Sequence, residues 1–526
     1  MTTAAVEEDL EQSPPVRPRR VLASFAWNSG SHVLNIVNQL GTVPLFIHSW
    51  GNVLYGDWLS LSAVVGYLAL ADGGMQNYVV TLLTQRAVQG KWEELRRELA
   101  SATAMYLFAV GLAVAATLGM SVLLPFGRWF SGRPAAALAP LIVVLLGLQV
   151  SASLTNGFIS GLYRVLGRND LWLAAGFLYR AALVSTTIAV LAAGGGARML
   201  AAGQLAVGAV AVVVVLVDVR RRDPRLRPGL AGARRSVAIG FLAPSLLFLL
   251  LTVANGLSIQ GTVLVLSSTL GAVAVVVFST TRAVANVVRQ VVAVLLNVVW
   301  PELTRLEAAG RKDRIALAHR LVVKLAAAAA VPLSAWLFFS GPALYRLWTG
   351  GRTVPDVALM RLLLVDQMLA TPWFASSALL TATNRHRALS LLFVSAGAAS
   401  LVLCLLLVPR FGLNAVGVVT LGLNATTFGV LVPRWAQQTT GEKLSAYWTG
   451  IYAPVVVLVL ACLAASGGAS FVAPGLVLGI AAPLVASVAV GAVVFWWLLG
   501  TQERSILAKG LSMALARRRA APEMPS

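Results

Sequence analysis

The stretch GNVLYGDWLSLSAVVGYLALADGG, residues 51–74, is long and apolar enough to cross a membrane, yet it contains two aspartates. A helix needs about 20 mostly apolar residues to cross the hydrocarbon core of a bilayer. Asp57 stands among three aromatic side chains, which are typical of the headgroup level, so we expect its carboxylate to stay in water. Asp72 follows about 15 residues later, roughly 22 Å along a helix, so we expect it inside the membrane, where it needs a partner.

The rest of the chain has the same apolar character. Hydrophobic residues make up 58% of the 526 residues, charged residues only 12%, and the mean hydropathy is +0.81. These values predict an all-α polytopic membrane protein without a large soluble domain. Cys404 and Cys462 lie inside apolar runs, so we interpret them as small buried hydrophobic residues rather than as a disulfide or a metal pair.

Charged or Gly/Pro-rich joints divide the chain into about fourteen predicted transmembrane helices. They lie near 22–48, 54–84, 99–125, 138–163, 170–193, 199–218, 237–266, 271–300, 316–342, 356–382, 388–408, 413–433, 450–467 and 475–499. Residues 1–21 have acidic residues ahead of the arginines, unlike a signal peptide, and are interpreted as a cytoplasmic tail. A second basic cytoplasmic tail is expected at 500–526.

The positive charge of the chain predicts its orientation. An even number of spans puts both termini on one side, and most of the 41 Lys and Arg residues then lie in cytoplasmic segments. Six arginines fall on the outer side: Arg128, Arg133, Arg198, Arg346, Arg352 and Arg410. The net charge of +21 is therefore a topology signal, not evidence for nucleic acid. The densest basic run, 220–235, joins spans six and seven, where membrane lipids are the expected partner.

A weak internal repeat appears when the chain is compared with itself at an offset of 220 residues. Gly51 then meets Gly271, Gly90 meets Gly310, and the triplet Gly-Thr-Val at 41–43 recurs at 261–263. Six spans separate the two copies, so they have the same orientation, as in transporters built from parallel repeats. The predicted organisation is an N-terminal six-helix bundle at 22–218, a basic cytoplasmic linker at 219–236, a C-terminal six-helix bundle at 237–433 and two additional helices at 434–499. Two bundles around a central V-shaped cleft would suit alternating access.

Some spans carry polar residues at helical spacing, which is typical of a helix that lines a cavity. The candidate substrate-binding amides are Asn28, Asn35, Gln39, Gln149, Asn156, Asn255 and Asn286. Such stripes also form hydrogen bonds between helices, each worth only about 1 kcal/mol, so this alternative stays open.

Charged side chains deep in the spans are costly and need a partner or water. Three are arginines, Arg180, Arg282 and Arg289, and we predict that they bind an anion, because guanidinium suits phosphate. Asp72 and Asp366 are equally deep, so structural ion pairs with the arginines are the alternative. These two acids and His32 are also candidates for coupling to an ion gradient.

The opening stretch is similar to the polysaccharide flippases of the multidrug/oligosaccharidyl-lipid/polysaccharide exporter superfamily. The resemblance is carried by Gly51, Tyr55, Gly56, Trp58, Tyr67, Leu68, Asp72, Gly74, Gly90 and EELRREL at 93–99, and in the second half by Gly271, Phe278, Arg282, Pro301 and AAGRKD at 308–313. It covers most of the chain.

The resemblance implies a flippase that moves a polyprenyl-pyrophosphate-linked glycan across the bacterial inner membrane for polysaccharide or O-antigen synthesis. Arginines would hold the pyrophosphate, while Asn and Gln would bind sugar hydroxyls. No cofactor is implied, the coupling ion (H⁺ or Na⁺) is open, and a polysaccharide polymerase or glycosyltransferases are candidate partners.

Three alternative functions remain. A lipid-linked peptidoglycan-precursor flippase and a drug or cation antiporter belong to the same superfamily. A polytopic glycosyltransferase or ligase is the alternative from another class, but the sequence has no phosphate loop, HExxH, CxxC or GxSxG motif, so we expect a transporter and not an enzyme.

Overall fold

The computed structural model describes residues 18–72, 74–130, 135–383, 387–473 and 475–505. All regular elements in these ranges are helical. The α-helices are α1 Pro18–Gly66, α2 Met75–Val88, α3 Trp92–Leu123, α4 Phe126–Trp129, α5 Ala135–Val165, α6 Asn169–Ala192, α7 Ala197–Arg222, α8 Arg235–Gly240, α9 Leu242–Asn255, α10 Thr262–Thr269, α11 Ala272–Ala308, α12 Lys312–Trp348, α13 Val357–Ala382, α14 Arg387–Phe411, α15 Leu413–Leu423, α16 Gly429–Thr440, α17 Leu444–Tyr447, α18 Ala453–Val472 and α19 Gly475–Leu498.

Short segments of other helical types connect some of these helices. Two are 3₁₀-helices, Tyr67–Asp72 and Pro224–Leu226. Three are π-helical: Gly256–Gly261, Asn424–Phe428 and Trp448–Tyr452. The all-helical fold predicted from the sequence is confirmed.

Twelve helices in the described residues are long and apolar enough to span a membrane. The difference from the fourteen expected arises in two places. The segment Leu22–Asp72 counts once although its 51 residues extend about 75 Å, enough for two crossings, and the chain bends inside it at Gly51. The span expected at 237–266 is divided among α8, α9, a π-helical segment and α10, which are each too short to count.

The chain forms two compact units. Among the described residues, the first comprises 18–50 and 60–256, and the second 51–59 and 257–505. The sequence placed the start of the second bundle at residue 237, whereas in the structure residues 237–256 belong to the first unit. They do so because Phe241 packs edge-on against Tyr78, with ring centroids 6.2 Å apart, and Gly256 lies against the ring of Tyr67.

The core of the first unit joins α2, α3, α5 and α7. Its centre contains Leu83, Leu95 and Leu162, which have no exposed surface, and the phenol of Tyr106 stacks on Phe158 with centroids 4.5 Å apart. Glycines in α5 allow close approach between helices: a Cβ added to Gly161 would lie 2.5 Å from the side chain of Val80.

The core of the second unit is built on α12, whose alanine-rich face is almost completely buried. Small side chains at helix interfaces let membrane helices approach closely. Helix α19 packs against this face. The Ser487 hydroxyl donates to the Pro332 carbonyl oxygen over 2.9 Å, and the Trp336 indole N–H donates to the Ile480 carbonyl oxygen over 2.8 Å. The last predicted spans are thus packed onto the second unit.

The expectation for Asp57 is wrong, because the structure buries it. Its exposed fraction is only 2%, and the neighbouring Tyr55 and Trp58 are also buried. Residues 51–59 pack within the second unit: the Thr353 hydroxyl donates to the Asn52 side-chain oxygen over 2.8 Å. Aromatic residues in a sequence indicate the headgroup level, but they do not show whether another segment of the chain covers a residue at that level.

Candidate functional site

The strongest candidate site lies on α11, where Arg282, Asn286 and Arg289 share one face of the helix. Arg282 lies about 15 Å along the helix and is half-buried, with its guanidinium 5.1 Å from the ring of Phe278. Arg289 is exposed although it belongs to the same apolar span, 272–296. The two guanidinium groups are near enough to repel one another.

In the described part of the second unit no carboxylate oxygen lies within 4.0 Å of either guanidinium, although Arg289 is near enough to Asp366 for the two charges to attract one another. The interactions that the structure does show are with aromatic rings: Arg289 lies 5.9 Å from the ring centre of Phe374. Two cations in one membrane-spanning helix therefore have no direct ion pair in the described part of this unit, and their guanidinium N–H groups could bind an anion.

A pocket adjoins Arg289 between α11 and α13. It is small and half-open, and it is lined by Val288, Arg289, Val292, Gln367, Ala370, Thr371, Trp373 and Phe374. Trp373 is 4% exposed, and its indole Nε1 has no hydrogen-bond partner among the described residues. The pocket thus offers a cation, an amide, a hydroxyl and a free indole N–H, all of which suit an oxygen-rich ligand.

Asp366 is bound by amides and not by an arginine. Its exposed fraction is 1%, the Asn424 side-chain N–H donates to Oδ1 over 2.6 Å, and the Gln367 amide donates to Oδ2 over 3.1 Å. Asn424 lies in the π-helical segment between α15 and α16. The expected pairing of Asp366 with an arginine is therefore not a direct one in the described part of this unit: no guanidinium lies within 4.0 Å, and Arg289 acts on Asp366 only through the attraction of their charges.

Asp72 likewise has a local partner. The Tyr106 hydroxyl lies 2.9 Å from Asp72 Oδ1 and 2.9 Å from the Leu154 carbonyl oxygen, and the carboxylate also accepts hydrogen bonds from the backbone N–H groups of Gly74 and Gln76. Asp72 thus stabilises the break between the 3₁₀ segment and α2. The expected pairing of Asp72 with a deep arginine of its own unit is not formed.

The polar stripe on α1 is present in the first unit. Asn28 and Asn35 are exposed, whereas His32 and Gln39 are partly covered. The opposite face also carries exposed side chains, but these are apolar. The structure therefore preserves the predicted amphipathic character of this helix.

Helices α5 and α6 bring two further candidates near one another. The Gln149 amide donates to the Tyr179 hydroxyl over 3.0 Å, and the next residue, Arg180, is exposed with its Nε donating to the Gly176 carbonyl oxygen over 3.1 Å. Arg180 has no carboxylate within 4.0 Å in the described part of its unit.

The two remaining candidate amides of the first unit are Asn156 and Asn255. Asn156 is 5% exposed, and its side-chain oxygen has no partner among the described residues, so it is buried rather than lining an open surface. The side chain of Asn255 lies outside the described residues, although its backbone ends α9.

Sequence periodicity missed several polar residues that the structure places at these sites. Tyr106, Asn424, Gln367 and Trp373 have no stripe of their own and were not candidates. Asn424 is separated from Asp366 by 58 residues and Tyr106 from Asp72 by 34. The one signal in the sequence was the presence of Asp72 and Asp366 inside predicted spans, because an acid at that depth needs a hydrogen-bonding partner.

No protein-family model matches the chain, and no curated protein sequence matches it. Solved structures do. The chain is similar to a structure described as the lipid II flippase MurJ in an inward closed conformation, with a TM-score of 0.67 and 10% identity, covering 94% of this chain and 100% of that one. It is also similar to an inward-facing multidrug resistance MATE family transporter of the MOP superfamily, with a TM-score of 0.64 and 14% identity, covering 77% of this chain and 94% of that one.

A third structure is the outward-facing form of a MATE family transporter of the MOP superfamily, with a TM-score of 0.51 and 14% identity, covering 80% of this chain and 94% of that one. At these identities the comparison establishes the fold. The chain is a multi-pass membrane protein with the fold of MOP superfamily transporters, which confirms the resemblance at the level of the superfamily fold.

Proposed function

We propose that this protein is a flippase that moves a polyprenyl-pyrophosphate-linked oligosaccharide across the bacterial inner membrane by alternating access, for polysaccharide or O-antigen synthesis. The fold supports membrane transport in general, because the similar structures are described as a lipid II flippase and as multidrug transporters. The choice of substrate rests on the chemistry of α11.

One observation carries the proposal: Arg282 and Arg289 lie on one face of a membrane-spanning helix, and no carboxylate oxygen in the described part of their unit lies within 4.0 Å of either guanidinium. A charged side chain at the bilayer centre costs on the order of 3 kcal/mol on insertion scales, and the mutual repulsion of the two arginines adds to it. The charge of Asp366 offsets part of this cost at Arg289, but its oxygens are hydrogen-bonded by Asn424 and Gln367 and neither lies within 4.0 Å of a guanidinium in the described part of this unit. A ligand with two negative charges, such as a pyrophosphate, would offset it.

The neutral groups beside these arginines suit the glycan part of such a substrate. Asn286 lies between the two arginines, and the pocket at Arg289 adds Gln367, Thr371 and the free indole N–H of Trp373. Amides and hydroxyls can both donate to and accept from sugar hydroxyls. The polyprenyl chain needs no polar contact and would stay in the lipid, so moving the headgroup requires no covalent step.

The experiment combines gene deletion with complementation by variants. Deletion should abolish one surface polysaccharide while cells stay viable. Arg282→Ala with Arg289→Ala should then fail to restore export, with a loss of at least about 100-fold, because each charge-assisted contact is worth about 1.5–3 kcal/mol. The matched control is Arg198→Ala with Arg410→Ala, two exposed arginines at the first turn of α7 and the last turn of α14, which should restore export fully.

The amount of each variant in the membrane must be measured, so that failure to insert is recognised. Size-exclusion chromatography then shows whether the inserted variant is monodisperse. Full export by the inserted Arg282/Arg289 double variant would contradict the assignment of these arginines to the substrate.

A lipid-linked peptidoglycan-precursor flippase is the second candidate, because the MurJ structure matches over its whole length. It predicts a different result in the same experiment: deletion would arrest growth rather than remove one polysaccharide. If the protein were a drug or cation antiporter, deletion would leave growth and the surface polysaccharide intact and would raise drug sensitivity. The two arginines of α11 argue against this third alternative, because they would repel a cation.

A further inference from the structure

The basic segment between α7 and α9 lies at the membrane surface at both of its ends. Helix α7 has 26 residues and is about 39 Å long, more than the roughly 30 Å thickness of the hydrocarbon, so its last turn, Arg220–Arg222, reaches the headgroup region. The chain enters an apolar helix again at Leu242. Residues 220–241 therefore run between two membrane segments, beside the headgroups.

This segment is fixed to the first unit rather than hanging free. Leu226 has no exposed surface and belongs to the same hydrophobic cluster as Val219 and Phe241. Asp223 accepts from the backbone N–H of Arg225 over 2.9 Å and pairs with its guanidinium over 2.8 Å. This hydrogen-bonded guanidinium holds the pKa of the Asp223 carboxyl below its usual range, so the ion pair persists at neutral and mildly acidic pH.

Two contacts with α3 complete the attachment. The guanidinium carbon of Arg225 lies 3.8 Å from the ring centre of Trp92, a close cation–π contact. Further along, the backbone N–H of Arg234 donates to the hydroxyl of Ser101, which has no exposed surface, over 3.0 Å. The backbone of the segment is thus held at three points: Leu226, Arg225 and Arg234.

The seven arginines of this segment divide into two groups. Arg222 pairs with Asp218 over 2.6 Å and Arg225 pairs with Asp223, so these two serve the fold. The other five have exposed side chains with no acidic partner among the described residues: Arg220, Arg221, Arg227, Arg234 and Arg235. Their charges are held in a fixed arrangement and are not neutralised by the protein.

Apolar side chains stand exposed among these five arginines. Leu230 is 58% exposed and Ile239 is 53% exposed, in a segment otherwise dominated by arginine. A surface with cationic groups beside exposed aliphatic groups matches the boundary between headgroups and acyl chains, where phosphates and hydrocarbon lie within a few ångströms of each other.

We propose that residues 220–239 form a preordered docking surface for anionic phospholipid headgroups, in which the five unpaired arginines bind phosphates while Leu230 and Ile239 enter the acyl boundary. The occupant is the lipid of the adjacent leaflet, because both ends of the surface lie at headgroup depth and the charge is complementary. Such a surface fixes the first unit to anionic lipid independently of the transported substrate.

The experiment uses the full-length protein in detergent, with phosphatidylglycerol and phosphatidylcholine added separately. Native mass spectrometry counts bound lipids, and thermal unfolding records the shift in Tm. We expect phosphatidylglycerol, but not phosphatidylcholine, to bind and to raise the Tm. Arg227→Gln, Arg234→Gln and Arg235→Gln together should weaken binding by about 100-fold, since each arginine near an anionic surface contributes about five-fold.

The matched control removes the same charge elsewhere: Arg198→Gln, Arg346→Gln and Arg410→Gln change exposed arginines in the end turns of other helices and should leave lipid binding unchanged. Leu226→Ala keeps all seven arginines but removes the buried side chain that holds the segment to the first unit. It should also weaken binding, because the proposed surface is preordered. Equal binding by the wild type and the linker triple variant would overturn the proposal. So would equal preference for the two lipids, or displacement of bound phosphatidylglycerol by micromolar inorganic pyrophosphate, which would indicate a site for a soluble phosphate.

Discussion

Gly51 and Gly271, which are 220 residues apart, adopt the same rare backbone conformation. Gly51 has φ 68° and ψ 176°, and Gly271 has φ 83° and ψ −177°. This region is essentially restricted to glycine, because a Cβ would clash with the adjoining backbone. Gly90 and Gly310, also 220 apart, share positive φ values of 70° and 66°. The repeat detected in the sequence therefore recurs in the backbone at its glycines.

Replacing either glycine by alanine should destabilise the protein by about 1–3 kcal/mol through backbone strain alone. Nothing lies within 4 Å of a Cβ added to Gly51 or Gly271, so steric contact adds no cost. The matched control is Gly111→Ala in α3, which also meets no atom within 4 Å but has helical geometry and should be neutral or slightly stabilising. Thermal unfolding in detergent measures all three, and equal Tm values would contradict the strain argument.

Gly56→Ala should be more damaging, for a steric reason. An added Cβ would lie 2.1 Å from the carbonyl oxygen of Ala272, which is backbone and cannot rotate away. Ala272→Gly should therefore not rescue it. Gly41→Ala is the control in the same helix, because its nearest contact would be an ordinary 3.9 Å. The yield of monodisperse protein distinguishes them, and a normal yield for Gly56→Ala would show that the helices can separate at little cost.

Asp72→Ala should lower the unfolding free energy by about 1–3 kcal/mol, because the donors of Tyr106, Gly74 and Gln76 lose their common acceptor. Asp72→Asn keeps a carbonyl oxygen and should retain most of the stability. If alanine and asparagine gave the same Tm, the hydrogen bonds would not be the reason for the acid. Loss of export by a stable Asp72→Asn protein would point to coupling instead.

Glu503→Gln should be strongly destabilising, by about 3–5 kcal/mol, because it leaves a buried lysine without its counter-charge. Lys324 and Glu503 have side-chain exposed fractions of 8% and 5%, and Nζ lies 2.7 Å from Oε2.

An exposed pair provides the comparison. Glu93 and Arg97 are 3.5 Å apart on α3 with side-chain exposed fractions of 89% and 52%, so Glu93→Gln should change the free energy of unfolding by no more than about 0.5 kcal/mol. Replacing both members of the buried pair, as Lys324→Met with Glu503→Leu, should recover part of the loss. A small effect of Glu503→Gln would mean that water reaches the lysine.

Cysteine labelling tests whether the stripe on α1 faces water. Exposure alone cannot decide this, because Val33 and Val37 on the opposite face are 61% and 49% exposed. With the buried Cys404 and Cys462 replaced by alanine, Asn28→Cys and Asn35→Cys should react with a charged thiol reagent, whereas Val33→Cys and Val37→Cys should be protected by lipid. Equal labelling of both faces would remove α1 from any water-filled cavity.

The sequence alone determined the fold class, the positions of most spans, the repeat and the faces of the polar stripes. It could do so because bilayer thickness fixes the length of a span and helical periodicity fixes which residues share a face. Gly51 and Gly271 could be matched from sequence because the backbone conformation they adopt is a local property of glycine.

Only the tertiary structure decided which side chains meet across helices. Asp72 is bound by Tyr106, Asp366 by Asn424, Lys324 by Glu503, and Asp57 is buried rather than wet. These partners are separated by 34, 58 and 179 residues in the first three cases, and periodicity carries no information about which helix lies opposite a given face. Because the oxygens of Asp366 accept from amides, no carboxylate in the described part of the second unit lies within 4.0 Å of the arginines of α11.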